Sequence, residues 1–354
     1  MRNRNRLIAY TWLLPWIGLM LSFNAVGQPL QRELVLLNWS EYMDPDLISQ
    51  FEHQYNVEVH EIYFESDDVR DEMLLEADGK GYDLALVNDA MINPYLQRGW
   101  LAEATVEQIP NLKNIDAKWL DAFEGASGHA VPYFWGTLGI AYRADLLEKP
   151  PYSWMDLFRS AASVGGKIAM IETQRDALGM ALKALGFSAN SIDSREIRAA
   201  TELLIEQRPQ VKTYTYLVLD DNSALVKGDV VMAMMFNGDA LVLQEHHDEI
   251  QYVVPKEGGN IWVDYLVVLR NAKHKELAYA FLDFLNEPEH AAQLAQFVHY
   301  ATPNTAAEKL LPEEFLHDPG IYPDAAVLSR SEAYKPLPPR VIKIRNTNYS
   351  RLTQ

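Results

Sequence analysis

The chain has 354 residues, no cysteine and a formal net charge of −18 at pH 7. A chain of this length must hold its fold with a large apolar core instead of disulfides, and ordinarily divides into two domains. Its acidity makes nucleic acid and anionic membrane poor partners and favours a cationic ligand, although many acidic surfaces serve only solubility.

The first residues, Met1-Arg2-Asn3-Arg4-Asn5-Arg6, form a basic head. An apolar stretch from Leu7 to about Phe23 follows, and then the small residues Ala25 and Gly27. That order is expected of a secretory signal peptide over residues 1–27, cleaved after Gly27, which places the mature protein in the periplasm. An uncleaved membrane anchor is the alternative. With no cysteine after the apolar run, lipid attachment through that residue is excluded. Loss of Arg2, Arg4 and Arg6 takes the charge from −18 to −21.

Leu34 to Trp39 is a short apolar run and reads as a buried strand. Asp44 can cap a helix opening at Pro45, with Leu47, Ile48 and Phe51 as its apolar face. Val57 to Tyr63 alternates as a strand, Asp68 to Ala77 reads as a helix, and Tyr82 to Val87 as another buried strand. This β-α-β-α-β order predicts a parallel sheet covered by helices.

Ala130 to Tyr142 predicts two extended pieces joined near Gly136, suited to a crossing between lobes. A second α/β unit follows: strand Lys167 to Ile171, helices Ala177 to Leu185 and Arg195 to Gln207, a strand near Val211, and strand Val230 to Phe236. Strand Ile261 to Leu269 and helix Glu276 to Asn286 suggest a return to the first lobe. The tail, with Pro336, Pro338 and Pro339, is expected to pack as an irregular cover. The chain is thus expected to be α/β, with lobe 1 at 28–139 plus 263–308 and lobe 2 at 140–262 plus 309–354.

Candidate site residues lie where predicted strands end. They are Trp39, Ser40, Glu41 and Tyr42; Asn88 and Asp89; Phe236, Asn237 and Asp239; Trp262 and Asp264 near the second crossing; and Tyr300 after a C-terminal helix. In open parallel sheets, ligands bind outside the carboxyl ends of the strands. Aromatic faces can cover the methylenes of a linear polyamine and attract its charge, while carboxylates hold its ammonium groups. Singly, such an aromatic residue is more often core and such an aspartate often a helix cap. His246-His247-Asp248 is the one metal-like cluster, but adjacent helical residues point apart, and a solvated face is expected. No phosphate loop, nucleophile elbow or zinc signature is present, so neither an enzyme nor a cofactor is expected.

The segment Asn38-Trp39-Ser40-Glu41-Tyr42 resembles the corresponding segment of periplasmic spermidine/putrescine-binding proteins. Tyr82-Asp83-Leu84, Val131 to Gly136, Pro255 to Gly259 with Trp262 and Asp264, and Gly320 to Pro323 follow in that family's order. The resemblance implies a two-lobed periplasmic binding protein fold of type II, the Venus-flytrap form, with strands crossing between lobes. It also implies an aromatic box of Trp39, Tyr42, Phe236, Trp262 and Tyr300, with Ser40 and Glu41 beside it. Asp264, Asp239 and Asp176 would hold amines, assisted by Glu172. Asn88-Asp89-Ala90-Met91 departs from a family stretch carrying serine and often tyrosine, so Asp89 adds a carboxylate there. Lys335 stands near a family glutamine. These departures favour norspermidine and spermidine over putrescine.

One branch that this chain resembles reports norspermidine to an inner-membrane receptor controlling cyclic-di-GMP and biofilm formation. The implied partner is such a signalling receptor or, alternatively, an ABC transporter permease, engaged by a monomer.

Overall fold

The computed structural model describes residues 32–123, 125–171 and 173–352. The expected signal peptide and Glu172 lie outside the described residues. Ten strands make up the sheet: β1 (Arg32–Asn38), β2 (Val57–Tyr63), β3 (Leu84–Asn88), β4 (Ala130–Arg143), β5 (Ile168–Ala169), β6 (Val211–Thr213), β7 (Met232–Phe236), β8 (Ile250–Val253), β9 (Asn260–Val268) and β10 (Glu332–Ala333). The main path runs β2-β1-β3-β9-β4-β7-β5-β6, with β10 on β9 and β8 on β4.

The first half follows the expected order. β1 pairs in parallel with both β2 and β3, and the helices Pro45–Tyr55 and Asp67–Glu76 connect them. Asp44 caps the first helix by accepting from the Asp46 N–H at 2.9 Å, and Leu47 and Phe51 are fully buried. Burying each such side chain contributes about 1.5–3 kcal/mol, which is how an amphipathic stripe fixes the helix on the sheet.

β4 runs unbroken for 14 residues instead of forming two pieces. Its irregularity lies between Pro132 and Phe134, where proline brings no N–H to the ladder. From Ala130 to Thr137 it pairs antiparallel with β9; from Leu138 to Tyr142 it pairs with β7, and from Ile140 to Arg143 with β8. Apolar packing changes at the same place. Residues up to Trp135 join a core with β1, β3, β9 and the helices Lys275–Leu285 and Pro288–Val298, whereas Leu138 begins a second core. β4 is therefore a crossing strand between two cores, and Thr137 is held there. Its N–H donates to Asn237 Oδ1 at 3.1 Å, and its carbonyl accepts from the Tyr252 hydroxyl at 2.9 Å. β9 pairs with β3 and β4, and its Asn260 and Ile261 also pair with β10.

The second core shows period-two alternation. Met232 and Met234 face the helices Gln174–Ala184 and Ser194–Gln207, while Ala233 and Met235 join a smaller cluster on the opposite face. The tail differs from expectation, because Pro339–Tyr349 is a helix. Proline fits a first helical turn, whose N–H groups lack partners within the helix, so Pro338 and Pro339 mark its start. Arg345 anchors this helix by donating to the carbonyls of Ala189 at 2.9 Å and Ser191 at 2.8 Å. Among the described residues, no helix is long and apolar enough to cross a membrane.

Candidate ligand-binding cleft

Several of the strand-end residues come together around Asp264 of β9. The chain leaves β1 at Asn38 and turns through Glu41, whose φ of 58° is left-handed, bringing Tyr42 inward. The Tyr42 hydroxyl donates to Asp264 Oδ2 at 2.9 Å, and its carbonyl accepts from the Tyr133 hydroxyl at 2.7 Å. Asp264 lies on β9 opposite both Asn88 of β3 and Phe134 of β4, so the register delivers it to the middle of the sheet.

Four rings form a wall. Tyr42 meets Tyr300 edge-on at 5.7 Å between centroids, Tyr300 meets Trp262 at 4.9 Å, and Trp262 meets Phe236 at 6.2 Å. Edge-to-face contacts at these distances are the favoured geometry for aromatic pairs. Two glycines make room for them. A Cβ on Gly238 would come within 2.0 Å of the Tyr300 ring, and one on Gly136 within 2.4 Å of Trp262. Trp39 instead packs on Phe64 at 4.4 Å, against the first core. Ser40 and Glu41 are exposed beside it.

The carboxylates share one environment. Burial pushes Asp264 up from its ordinary 3.8 to about 7, with the negative charge of Asp67 adding to the rise and the Tyr42 hydroxyl opposing it. Burial raises Asp239, in the first turn of the helix Asn237–Gln244, to about 6. Asp89 begins the helix Asp89–Gln97, capped by Asn88, whose side chain accepts from the Ala90 N–H at 3.1 Å. Asp89 is also raised to about 6 by burial, with Arg175 opposing. Asp176, in the first turn of Gln174–Ala184, is raised to about 6 by burial, with the Tyr334 hydroxyl and Arg175 opposing. Four aspartates thus carry the same strain: each has lost water and lacks enough positive charge to replace it.

Several residues of the cleft are absent from the strand-end candidates. Asp67 comes after the end of β2; it accepts from the Arg70 guanidinium at 2.5 Å and the Asn88 amide at 2.7 Å, and its charge acts on Asp264, Asp89 and Asp176. Arg175 approaches Asp89 at 3.7 Å and stacks over Tyr334, its guanidinium carbon 4.3 Å from the ring centroid. Tyr216 lines a small cavity with Asp239, Thr215, Ile171, Met234 and Met235. His247 pairs with Asp221 at 3.2 Å and Glu249 at 3.7 Å, and among the described residues no His, Cys, Asp and Glu group could hold a metal.

The model of the bacterial extracellular solute-binding protein family matches residues 46–323. The chain belongs to this family. It is 32% identical over 319 residues to a spermidine/putrescine-binding periplasmic protein of Salmonella typhimurium, covering 89% of this chain and 90% of the relative. It is 30% identical over 323 residues to a norspermidine sensor of Vibrio cholerae, covering 90% and 88%. Among solved structures, the spermidine/putrescine ABC transporter substrate-binding protein of Streptococcus pneumoniae superposes with a TM-score of 0.83 at 30% identity, covering 91% of this chain and 99% of that one. The two-lobed fold and the periplasmic location expected from the sequence agree with these relatives. As a solute-binding protein and not an enzyme, the chain uses its cleft to hold a molecule rather than to transform one.

Proposed function

We propose that this solute-binding protein captures a linear polyamine in the periplasm, with norspermidine and spermidine preferred over putrescine. The observation that carries this reading is the pairing of the four-ring wall with four aspartates whose carboxyl groups are all pushed up by burial. A chain of methylenes can lie along Tyr42, Tyr300, Trp262 and Phe236, and its ammonium groups can supply the positive charge that the aspartates lack. The names of the relatives support the same ligand class.

Residues 28–139 plus 263–308 act as lobe 1, and residues 140–262 plus 309–354 as lobe 2. They close about the crossings near Gly136–Ala141 and Asn260–Trp262. The contacts that span the lobes, such as Tyr42 with Trp262 through Tyr300, favour the closed form, so a ligand shifts the population by its differential affinity. The monomer in that form is read by an inner-membrane receptor controlling cyclic-di-GMP and biofilm formation, a reading supported by likeness to the norspermidine sensor. Delivery to an ABC transporter permease is the second reading, supported by likeness to the transporter's substrate-binding protein.

A thermal-shift panel of norspermidine, spermidine, putrescine, spermine, amino acids and sugars tests the ligand class, because a ligand of the folded state raises the melting temperature by mass action. Triamines are expected to give the largest rise; a response to sugars without one to amines refutes the reading. Deleting the gene then separates the two uses. Loss of the biofilm response with polyamine uptake intact supports the receptor, and loss of uptake supports the permease.

A further inference from the structure

Arg175 is a feature of the cleft that a store of negative charge does not require. It stands in the first turn of the helix Gln174–Ala184, where the positive end of the helix dipole favours anions such as Asp176 and opposes a cation. Its position must therefore be held from elsewhere. The side chain lies 3.7 Å from Asp89 Oδ1, across the cleft on the helix after β3, and stacks on Tyr334 at 4.3 Å. The Asp89 side chain is only 8% exposed, so this contact lies inside the cleft, while Arg175 itself remains 33% exposed.

We propose that Arg175 is a resident cation that sets the valence of the cleft, matching it to a trivalent linear amine over a tetravalent one. The inference rests on the polyamine reading above. Asp67 is tied to Arg70 and Asn88, while Asp89 acts on both Asp176 and Asp264, and Asp239 joins the group through Tyr216, which it shares with Asp176, and Tyr300, which it shares with Asp264. One guanidinium among these four leaves three negative charges for the ligand when all are ionised. A triamine supplies three ammonium groups and a diamine leaves one carboxylate without a partner. A tetraamine brings a fourth positive charge against Arg175, and like charges in a desolvated site repel.

The competing account is a plain latch, in which Arg175 only ties one half of the molecule to the other. A second close contact between side chains serves as the control for that account. His299, at the end of the helix Pro288–Val298, meets Glu245, at the end of Asn237–Gln244, at 2.5 Å, and both are partly exposed. A latch lost at either place weakens every amine alike, whereas a change in valence reorders them.

Calorimetric titration of the mature protein with putrescine, norspermidine, spermidine and spermine reads the difference. Arg175→Met is expected to raise the spermine-to-spermidine affinity ratio by about tenfold, and Arg175→Lys to keep the wild-type order. Asp89→Asn removes one negative charge and is expected to lower the spermidine-to-putrescine ratio by about tenfold, which tests the same count without touching Arg175. Glu245→Gln is expected to leave both ratios unchanged. Ratios that stay within about threefold of wild type in both Arg175→Met and Asp89→Asn overturn the proposal, as does an equal loss for every amine. A wild-type protein that binds none of the four amines removes the polyamine reading and the valence proposal with it. Binding with unaltered ratios sinks the valence proposal alone.

Discussion

The aromatic wall and the carboxylate set of the candidate site are satisfied to different degrees. Tyr42, Tyr300, Trp262 and Phe236 touch one another edge to face, and glycines at 136 and 238 let them approach, so the wall is packed by its own members. Asp89, Asp176 and Asp239 stand in the first turns of helices and Asp264 in the middle of β9, yet burial raises all four to about 6 or 7. The ring faces are filled by one another, although the buried Trp262 indole N–H has no hydrogen-bond partner among the described residues, whereas the carboxylates store an unfavourable energy that a cation can relieve. On the function proposed above, shape and reach along the methylenes would belong to the wall, and most of the charge-dependent affinity to the acids.

The contrast breaks most sharply at Asp264. Asp264→Ala removes the most perturbed carboxylate and leaves a buried ammonium without its counter-ion. The expected loss is about 2–5 kcal/mol in polyamine binding by calorimetry, since truncating a buried charge partner costs that much. Wild-type affinity in this variant would show that the acids do not carry the binding.

The next effect is pH dependence. Because the folded-state value of Asp264, about 7, lies above its ordinary 3.8, protonation stabilises the fold without a cation. That contribution is fully present below about pH 4 and is lost as pH rises through about 7, with Asp89, Asp176 and Asp239 adding to it up to about 6. A bound polyamine requires the ionised form, so its effect runs the other way. Affinity is expected to fall about tenfold or more between pH 8 and pH 5.5, and the melting-temperature gain from spermidine to shrink with it. Asp264→Asn should flatten both curves. A gain that grows as pH falls would assign the affinity elsewhere.

The wall is tested by Trp262→Ala, expected to cost about 0.5–2 kcal/mol for each amine, with pH dependence retained. A loss larger than that of Asp264→Ala would invert the comparison and make the wall the main source of affinity.

Much of this cleft is legible in the sequence because its residues come directly after apolar strands. β1 and β3 read as buried runs, and Trp39 to Tyr42, Asn88 and Asp89 stand at their ends. Asp67 and Arg175 escape the same reasoning for different physical reasons. β2 alternates as an edge strand instead of reading as a buried run, so its end does not stand out, and Asp67 acquires its role only through Arg70 and Asn88. A cation at a helix start contradicts the local preference, and only the distant partners Asp89 and Tyr334 explain it. Trp39 is a strand-end aromatic of the right kind, but its ring rests on Phe64. The helix Pro339–Tyr349 is hidden by its prolines, which mark a helix start as readily as they mark a loop.

The smallest effect bears on whether affinity comes from these carboxylates or from the acidity of the whole surface. His247 and Asp248 lie just beyond the helix Asn237–Gln244, and the His247 ring approaches Asp221 and Glu249. At physiological ionic strength a charge is screened over about 8 Å of water, so removing that of the exposed Asp248 leaves the buried aspartates almost untouched. His247→Ala and Asp248→Asn are each expected to change spermidine affinity by less than about 0.5 kcal/mol, the usual range for surface substitutions. If Asp248→Asn instead weakened binding as much as Asp264→Ala is expected to, the acidity of the whole surface would be attracting the ligand. The four raised aspartates would then be a consequence of packing and not the means of recognition.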